Sequence, residues 1–175
     1  METERLIMRR WRAEDREPFA AMNADPEVME HFPALLTREQ SDGFVDRIEE
    51  GFGVHGYGLW ALEVRGSGQF IGFAGLAWAT FDAPFLPAVE IGWRLARPAW
   101  GHGYATEAAR EAVRYAFGEA GLDAIVSFTA VRNTRSRAVM ERIGMTREPA
   151  EDFDHPRVPE GSALRRHVLY RLKRA

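Results

Sequence analysis

The hydrophobic pattern changes its period once, and that change decides what kind of domain the chain can form. Up to residue 96 the clearest apolar stretches are short and bounded by turn residues, and residues 57–64, 69–78 and 88–96 read as strands. After Gly103, Ala105, Ala108, Ala109, Ala112, Val113, Ala116, Phe117 and Ala120 recur at three and four residues. That spacing is one buried stripe of a helix. Between the two patterns stands Trp100-Gly-His-Gly-Tyr-Ala105, a glycine turn leading from strand to helix.

The rest of the chain fits around this switch. Residues 6–10 alternate weakly and read as a first strand, followed by helical stretches at 13–23 and 38–50, with Asp25-Pro26 and Phe32-Pro33 breaking the run between them. Arg65-Gly-Ser-Gly68 joins strands 57–64 and 69–78 as a hairpin. Gly121 stops the long helix, 124–131 reads as a buried strand, and Asn133 caps a shorter helix that runs to Ile143 before Gly144. Two more strands, 145–153 and 164–172, flank the proline-rich segment 154–162. No repeat, low-complexity tract or linker interrupts this order, so the expectation is a single mixed α/β domain over residues 1–175.

Composition narrows the function. The 175 residues are 46% hydrophobic and 28% charged, as in a soluble globular protein. With no Cys there is no disulfide, thiolate metal site or cysteine nucleophile. The longest apolar run, residues 70–79, is far below the ~18 residues of a membrane span, and the mixed-charge start Met1-Glu-Thr-Glu-Arg5 reads as neither signal nor transit peptide. A cytoplasmic location is expected. A net charge of -3 and a pI near 6.0 argue against a general nucleic-acid binder. Charge is nonetheless sorted locally: five Arg and one Glu lie in 132–147, four acids in 148–154, and five acids against two Arg in 38–50.

A glycine turn at a helix start lets backbone N–H groups and the positive end of the helix dipole approach one ligand, and a phosphate suits such a place. The same glycines also serve a plain tight turn. A Walker loop is excluded because no Gly-Lys-Ser or Gly-Lys-Thr follows, and a dinucleotide fingerprint fails at Thr106. No Gly-x-Ser-x-Gly elbow of a serine hydrolase occurs.

Residues 89–108, Val-Glu-Ile-Gly-Trp-Arg-Leu-Ala-Arg-Pro-Ala-Trp-Gly-His-Gly-Tyr-Ala-Thr-Glu-Ala, resemble the acetyl-CoA motif of GNAT-type N-acetyltransferases, and residues 133–145 resemble the helix that follows in that family. The branch resembled contains the ribosomal-protein N-terminal acetyltransferases. The resemblance implies an α+β fold whose mixed, mostly antiparallel sheet is splayed at the acetyl-CoA site between the strands of Glu90 and Phe128. It further implies that Gly101, His102, Gly103, Tyr104, Ala105 and Thr106 wrap the coenzyme pyrophosphate, and that the backbone of Ile91, Gly92, Trp93 and Leu95 pairs with the pantetheine arm. Asn133 would bond that arm from the other side, with Arg137 and Arg142 on the outer phosphates. Trp100 stands where the family usually has Gln or Arg, and would pack instead. No metal is implied.

Acetylation of an amine needs a base for the ammonium and a donor for the departing thiolate. Glu90 corresponds to a general-base position in parts of the family, and otherwise reads as a strand carboxylate facing water or an arginine. Many relatives carry Tyr seven residues after the Asn. Here that position is Met140, so Ser136 stands in as the thiolate's partner, its bland alternative being a first-turn serine bonding its own backbone. Asp152, Asp154 and His155 read as a polar loop near the acceptor rather than as metal ligands, while His31, His55 and His167 read as structural or exposed. The acceptor expected is a primary amine, either a protein N-terminus or a small cation steered by the acids of 38–50 and 148–154, in a possible homodimer that binds neither nucleic acid nor membrane. A non-catalytic coenzyme A-binding module and a partner-binding protein on the same fold are the alternatives.

Overall fold

A computed structural model describes residues 1–174. Strand β1 (Leu6–Arg9) is followed by a helical turn at Ala13–Asp15 and by α1 (Arg16–Asn23), so the helix expected at 13–23 starts with one tight turn. Helix α2 (Arg38–His55) begins at a reciprocal cap: Thr37 Oγ1 accepts the Gln40 N–H, and Gln40 Oε1 accepts the Thr37 N–H. It runs five residues past its expected end, through Gly51 and Gly53, because the buried ring of Phe52 packs edge-on against Trp60 at 5.5 Å. Tertiary packing outweighs the poor helix propensity of two glycines.

Strands β2 (Leu59–Val64) and β3 (Phe70–Trp78) form the expected hairpin, and β4 (Val89–Leu95) lies antiparallel to β3. Gly72 and Gly75 are what allow this crowding. A Cβ on Gly72 would sit 2.1 Å from the Arg94 carbonyl oxygen, and one on Gly75 2.2 Å from that of Gly58. Helix α3 (Tyr104–Phe117) ends at Gly118, earlier than Gly121. It lays fully buried Ala108, Ala109, Ala112 and Ala116 on the sheet, where small side chains permit close approach.

Strand β5 (Ala124–Ala130) and helix α4 (Thr134–Arg142) fall where expected. The strand expected at 145–153 does not form as one piece: β6 (Thr146–Arg147) and β7 (Phe153–Asp154) each pair with β8 (Arg166–Lys173), separated by a helical turn at Pro149–Glu151. Proline removes the donor that a continuous ladder needs there.

The sheet order is β1-β2-β3-β4-β5-β8-β6, antiparallel except at β4 and β5. Those two seven-residue strands run parallel and share a single register pair, Glu90 with Val126, before they diverge. On β4, residues 90, 92 and 94 face one side of the sheet and 89, 91, 93 and 95 the other. Phe73, the cross-strand partner of Arg94, touches Phe19 of α1 and Phe44 of α2 at ring distances of 6.0 and 5.9 Å, so those helices cover the even face. Trp60, on the opposite face of β2, meets Tyr115 of α3. Beyond the main core, a smaller cluster around Val126, Phe153 and Leu169 is closed by Phe81, Phe85 and Phe128.

Candidate functional site

The divergence of β4 from β5 opens a cleft of about 2020 Å³. Because β4 has no ladder partner on this side beyond Glu90, the backbone from Ile91 to Leu95 is available to an extended amide-bearing ligand. Gly92, Trp93 and Leu95 line the opening, while the Ile91 side chain is sealed in the core and contributes backbone alone.

At one end of the cleft lies the glycine turn. Gly101 and Gly103 both take φ of 81°, a left-handed conformation that non-glycine residues adopt at a cost. Gly103 precedes α3 and no side chain caps the helix, which leaves first-turn N–H groups free for an anion. Gly101, Gly103, Tyr104, Ala105 and Thr106 all line the cleft. The turn is held from far away in sequence: Arg5 donates through Nη1 to the His102 carbonyl at 2.9 Å and through Nε to Glu107 at 2.7 Å, and Thr3 Oγ1 donates to Glu107 at 2.6 Å. Trp100 packs as expected. Its Nε1 donates to the Leu95 carbonyl, and Arg97 and Arg135 stack on its ring at 4.9 and 4.6 Å.

Two residues of the expected phosphate site have their side chains turned elsewhere. Arg137 does not face the cleft, since its Nη1 donates to the Val131 carbonyl and its Nε to the Tyr170 hydroxyl, which makes it a tie between α4 and β8. The His102 ring stacks with that of Tyr104 at 5.5 Å over a neighbouring hollow, which leaves its backbone to the turn, the part expected of it. Arg142 does line the cleft, and Arg110 and Arg135, which sequence reasoning missed, join it. Arg135 was findable, because the first turn of α4 follows β5 just as the glycine turn follows β4.

Glu90 and Ser136 line the same cleft. Glu90 is half-buried and its carboxyl has no hydrogen-bond or ion-pair partner among the described residues. Desolvation pushes its pKa up to about 8. Ser136 gives its backbone N–H to Asn133 Oδ1 at 3.1 Å, which is the first-turn role, while its hydroxyl has no partner among the described residues. Asn133 also donates through Nδ2 to Thr129 Oγ1 at 2.9 Å, so both polar atoms of its amide are engaged and Oδ1 keeps one lone pair for a ligand. The wall beyond β5 carries a cluster that sequence did not reveal: His155 and His167, with ring centroids 4.9 Å apart, stand among Phe81, Phe128 and Phe153. Burial and the neighbouring His167 lower the pKa of His155 to about 4, and burial also lowers that of His167, so both rings are neutral at physiological pH.

The acids expected to steer a cationic acceptor are largely occupied. Asp152 pairs with Arg147, Glu151 with Arg171, Asp154 with Arg165 and Arg166, Glu49 with Arg10, Asp42 with Arg38, and Asp46 with Arg16. Among the described residues no group of three or more His, Cys, Asp and Glu is placed to hold a metal ion, and no helix is long and apolar enough to cross a membrane.

Comparison with known proteins agrees with this geometry. Residues 5–146 match the sequence model of the acetyltransferase (GNAT) domain. The chain is 34% identical to the uncharacterized protein YkkB of Bacillus subtilis over 138 residues, covering 75% of this chain and 77% of that protein. It is 35% identical to the FsC-acetyl coenzyme A-N(2)-transacetylase of Aspergillus fumigatus over 144 residues, covering 76% of this chain and 59% of that protein. Among solved structures, the acetyltransferase from Agrobacterium tumefaciens superposes with a TM-score of 0.80 at 26% identity, covering 99% of this chain and 94% of that one.

Proposed function

This chain belongs to the GNAT acetyltransferase family, and on that premise we propose that it transfers the acetyl group of acetyl-CoA directly to a primary amine, with Glu90 as the base. The observation that carries the reading is the conjunction at β4: an unpaired strand edge, an uncapped helix start behind a left-handed glycine turn, and one unpartnered carboxyl, all on one cleft. The fit to acetyl-CoA is chemical. The β4 edge offers partners to the amides of the pantetheine arm, the turn offers N–H groups to its pyrophosphate, and Arg110, Arg135 and Arg142 offer charge to its outer phosphates.

In this reading Glu90, with its pKa near that of the working solution, takes a proton from the acceptor ammonium directly or through one water. As the tetrahedral intermediate collapses and the C–S bond breaks, the amine's second proton passes to the departing sulfur, which the Ser136 hydroxyl steadies by a hydrogen bond, so coenzyme A leaves as the thiol. Transfer is direct because the chain has no Cys, and neither of the serines lining the cleft, Ser127 and Ser136, has its hydroxyl bonded to a base among the described residues. A protein N-terminus and a small amine are both admissible acceptors. The test is release of coenzyme A thiol from acetyl-CoA over a panel of peptides and small amines, beside a thermal melt with acetyl-CoA alone. Ligand at about 100 times its dissociation constant adds about 2.7 kcal/mol of stability. A melt unmoved by millimolar acetyl-CoA removes the reading.

A further inference from the structure

Arg94 is a cation enclosed without an anion among the described residues. Its Nη1 donates to Asn23 Oδ1 at 2.6 Å, its Nε is sealed from water with no acceptor, and Nη2 has no hydrogen-bond partner among the described residues. Three rings stand around the guanidinium: Phe32 at 4.1 Å, Phe73 at 5.6 Å and Phe44 at 5.7 Å. Arg9, which is also enclosed, shows the usual solution, since Asp15 and Glu63 both hold it at 2.7 Å. Among the described residues no carboxylate does this for Arg94, and burial lowers its pKa to about 10 while leaving it charged at neutral pH.

The surroundings also fix which edge of the guanidinium is left. Asn23, itself fully buried, is anchored through its Nδ2 to Ser41 Oγ at 2.9 Å, so α1 and α2 together pin the Nη1 corner. Nη2 is the donor left open, being without a partner yet not sealed like Nε, and a carboxylate facing it takes a charge-assisted hydrogen bond from a guanidinium whose other corner is fixed. Arg94 lines the cleft and shares the even face of β4 with Glu90 and Gly92, opposite the face packed against α3. The coenzyme's phosphates have other partners in the reading above, on the side of the glycine turn.

We propose that Arg94 is the anion-binding residue of the acceptor subsite, and that the acceptor is an amine whose carboxylate lies about 10 Å from its amino group, as in a short peptide with a free carboxyl end. The spacing follows from the strand. Positions 90 and 94 are roughly 13 Å apart along one face. The Glu90 carboxyl leans towards 94, with Oε1 3.6 Å from where a Cβ of Gly92 would be, while the guanidinium stands over its own cross-strand neighbour Phe73. An α-amino acid, with both groups on one carbon, is too short to reach both. The proposal rests on acetyl transfer at Glu90 and adds the acceptor's second recognition group.

The test uses the tripeptide Ala-Ala-Ala and its C-terminal carboxamide, which differ in the one charge that matters. With acetyl-CoA saturating, the free acid is expected to show a KM at least tenfold below that of the amide. Arg94→Gln, which keeps a donor for Asn23, should abolish the difference, Arg94→Lys should restore part of it, and the dissociation constant of acetyl-CoA should change less than twofold in either. Calorimetric titration of both peptides into the wild-type protein loaded with coenzyme A gives the same comparison independently of turnover and of whether the variants fold. Equal binding of acid and amide by the wild-type protein overturns the proposal, as does discrimination that survives in Arg94→Gln. A tenfold loss of acetyl-CoA affinity in Arg94→Gln assigns the anion to the coenzyme instead and overturns it too. Failure of acetyl-CoA itself to bind would fell the transferase reading, a result visible before any peptide is added.

Discussion

Replacing Glu90 with Gln tests the chemistry most directly, because the substitution keeps size and polarity and removes only the titration. The carboxyl is pushed up to about 8 by burial, with no charged partner to offset it. A group with that pKa is ionised in about one molecule in ten at pH 7 and about nine in ten at pH 9. If the ionised form is the base, kcat of the wild-type enzyme rises roughly tenfold between those values and levels off above pH 9. Glu90→Gln should lower kcat by about 100- to 10,000-fold, the usual worth of a positioned base, and should erase the alkaline rise. The dissociation constant of acetyl-CoA should hardly change.

The same shift has a thermodynamic face that needs no substrate. An acid whose folded pKa lies above its unfolded value holds its proton more tightly when folded. Its stabilisation is complete below the unfolded pKa, here near 4.5, and is lost as pH climbs through about 8. The full shift corresponds to roughly 5 kcal/mol as a ceiling, and water in the open cleft reduces it to on the order of 2 kcal/mol. Melts taken from pH 5 to pH 9 should therefore show wild type losing stability relative to Glu90→Gln as pH rises. Equal rates for the two proteins across pH 6 to 9, together with parallel melting curves, would refute both the assignment of the base and the burial argument behind it.

Gly103→Val forces a branched residue into a left-handed position and brings a side chain to the Arg5 guanidinium, 3.5 Å from an ideal Cβ, so acetyl-CoA affinity measured by calorimetry should fall at least tenfold while the protein stays folded. Gly72→Ala meets the Arg94 carbonyl oxygen at 2.1 Å and should cost about 2–4 kcal/mol in denaturant titration, more than any glycine change in the coenzyme turn. Asp152→Asn removes the partner of Arg147, so it should lower the melting temperature and leave the acceptor KM unchanged, whereas a rise in KM with no thermal effect would restore the steering role that sequence assigned to this acid.

What the sequence made legible was local. The glycine turn, the alanine stripe of α3 and the Asn133 cap are each written within a few consecutive residues, and each stands where it was expected. What it hid depends on contacts between distant segments. Glu107 is held by Arg5 across 102 positions and Arg94 by Asn23 across 71, and no periodicity records such pairs. The extension of α2 over Gly51 and Gly53 depends on Phe52 finding Trp60, and the pairing of His155 with His167 depends on β7 lying beside β8. Arg137 shows the same limit: the resemblance implied a phosphate contact for it, but a helix presents arginines in several directions, and this one turns towards Tyr170.

The alternation of β4 explains why one strand can serve both substrates. Its buried residues Val89, Ile91 and Leu95 fix the strand in the core shared with α3, and so set where the glycine turn stands at the strand's end. Its even residues carry no such duty. Glu90 and Arg94 are the two charges that the fold leaves without a countercharge on this strand, and Gly92 between them keeps the surface clear, with nothing nearer to its missing side chain than the Glu90 carboxyl. A folded protein gains nothing in stability from stranding an acid and a base on one strand, four residues apart, when a direct pair or two apolar side chains would cost less. The arrangement is intelligible if a molecule with an amine at one end and a carboxylate at the other completes both interactions, and the gap at Gly92 is then the space that molecule's backbone crosses.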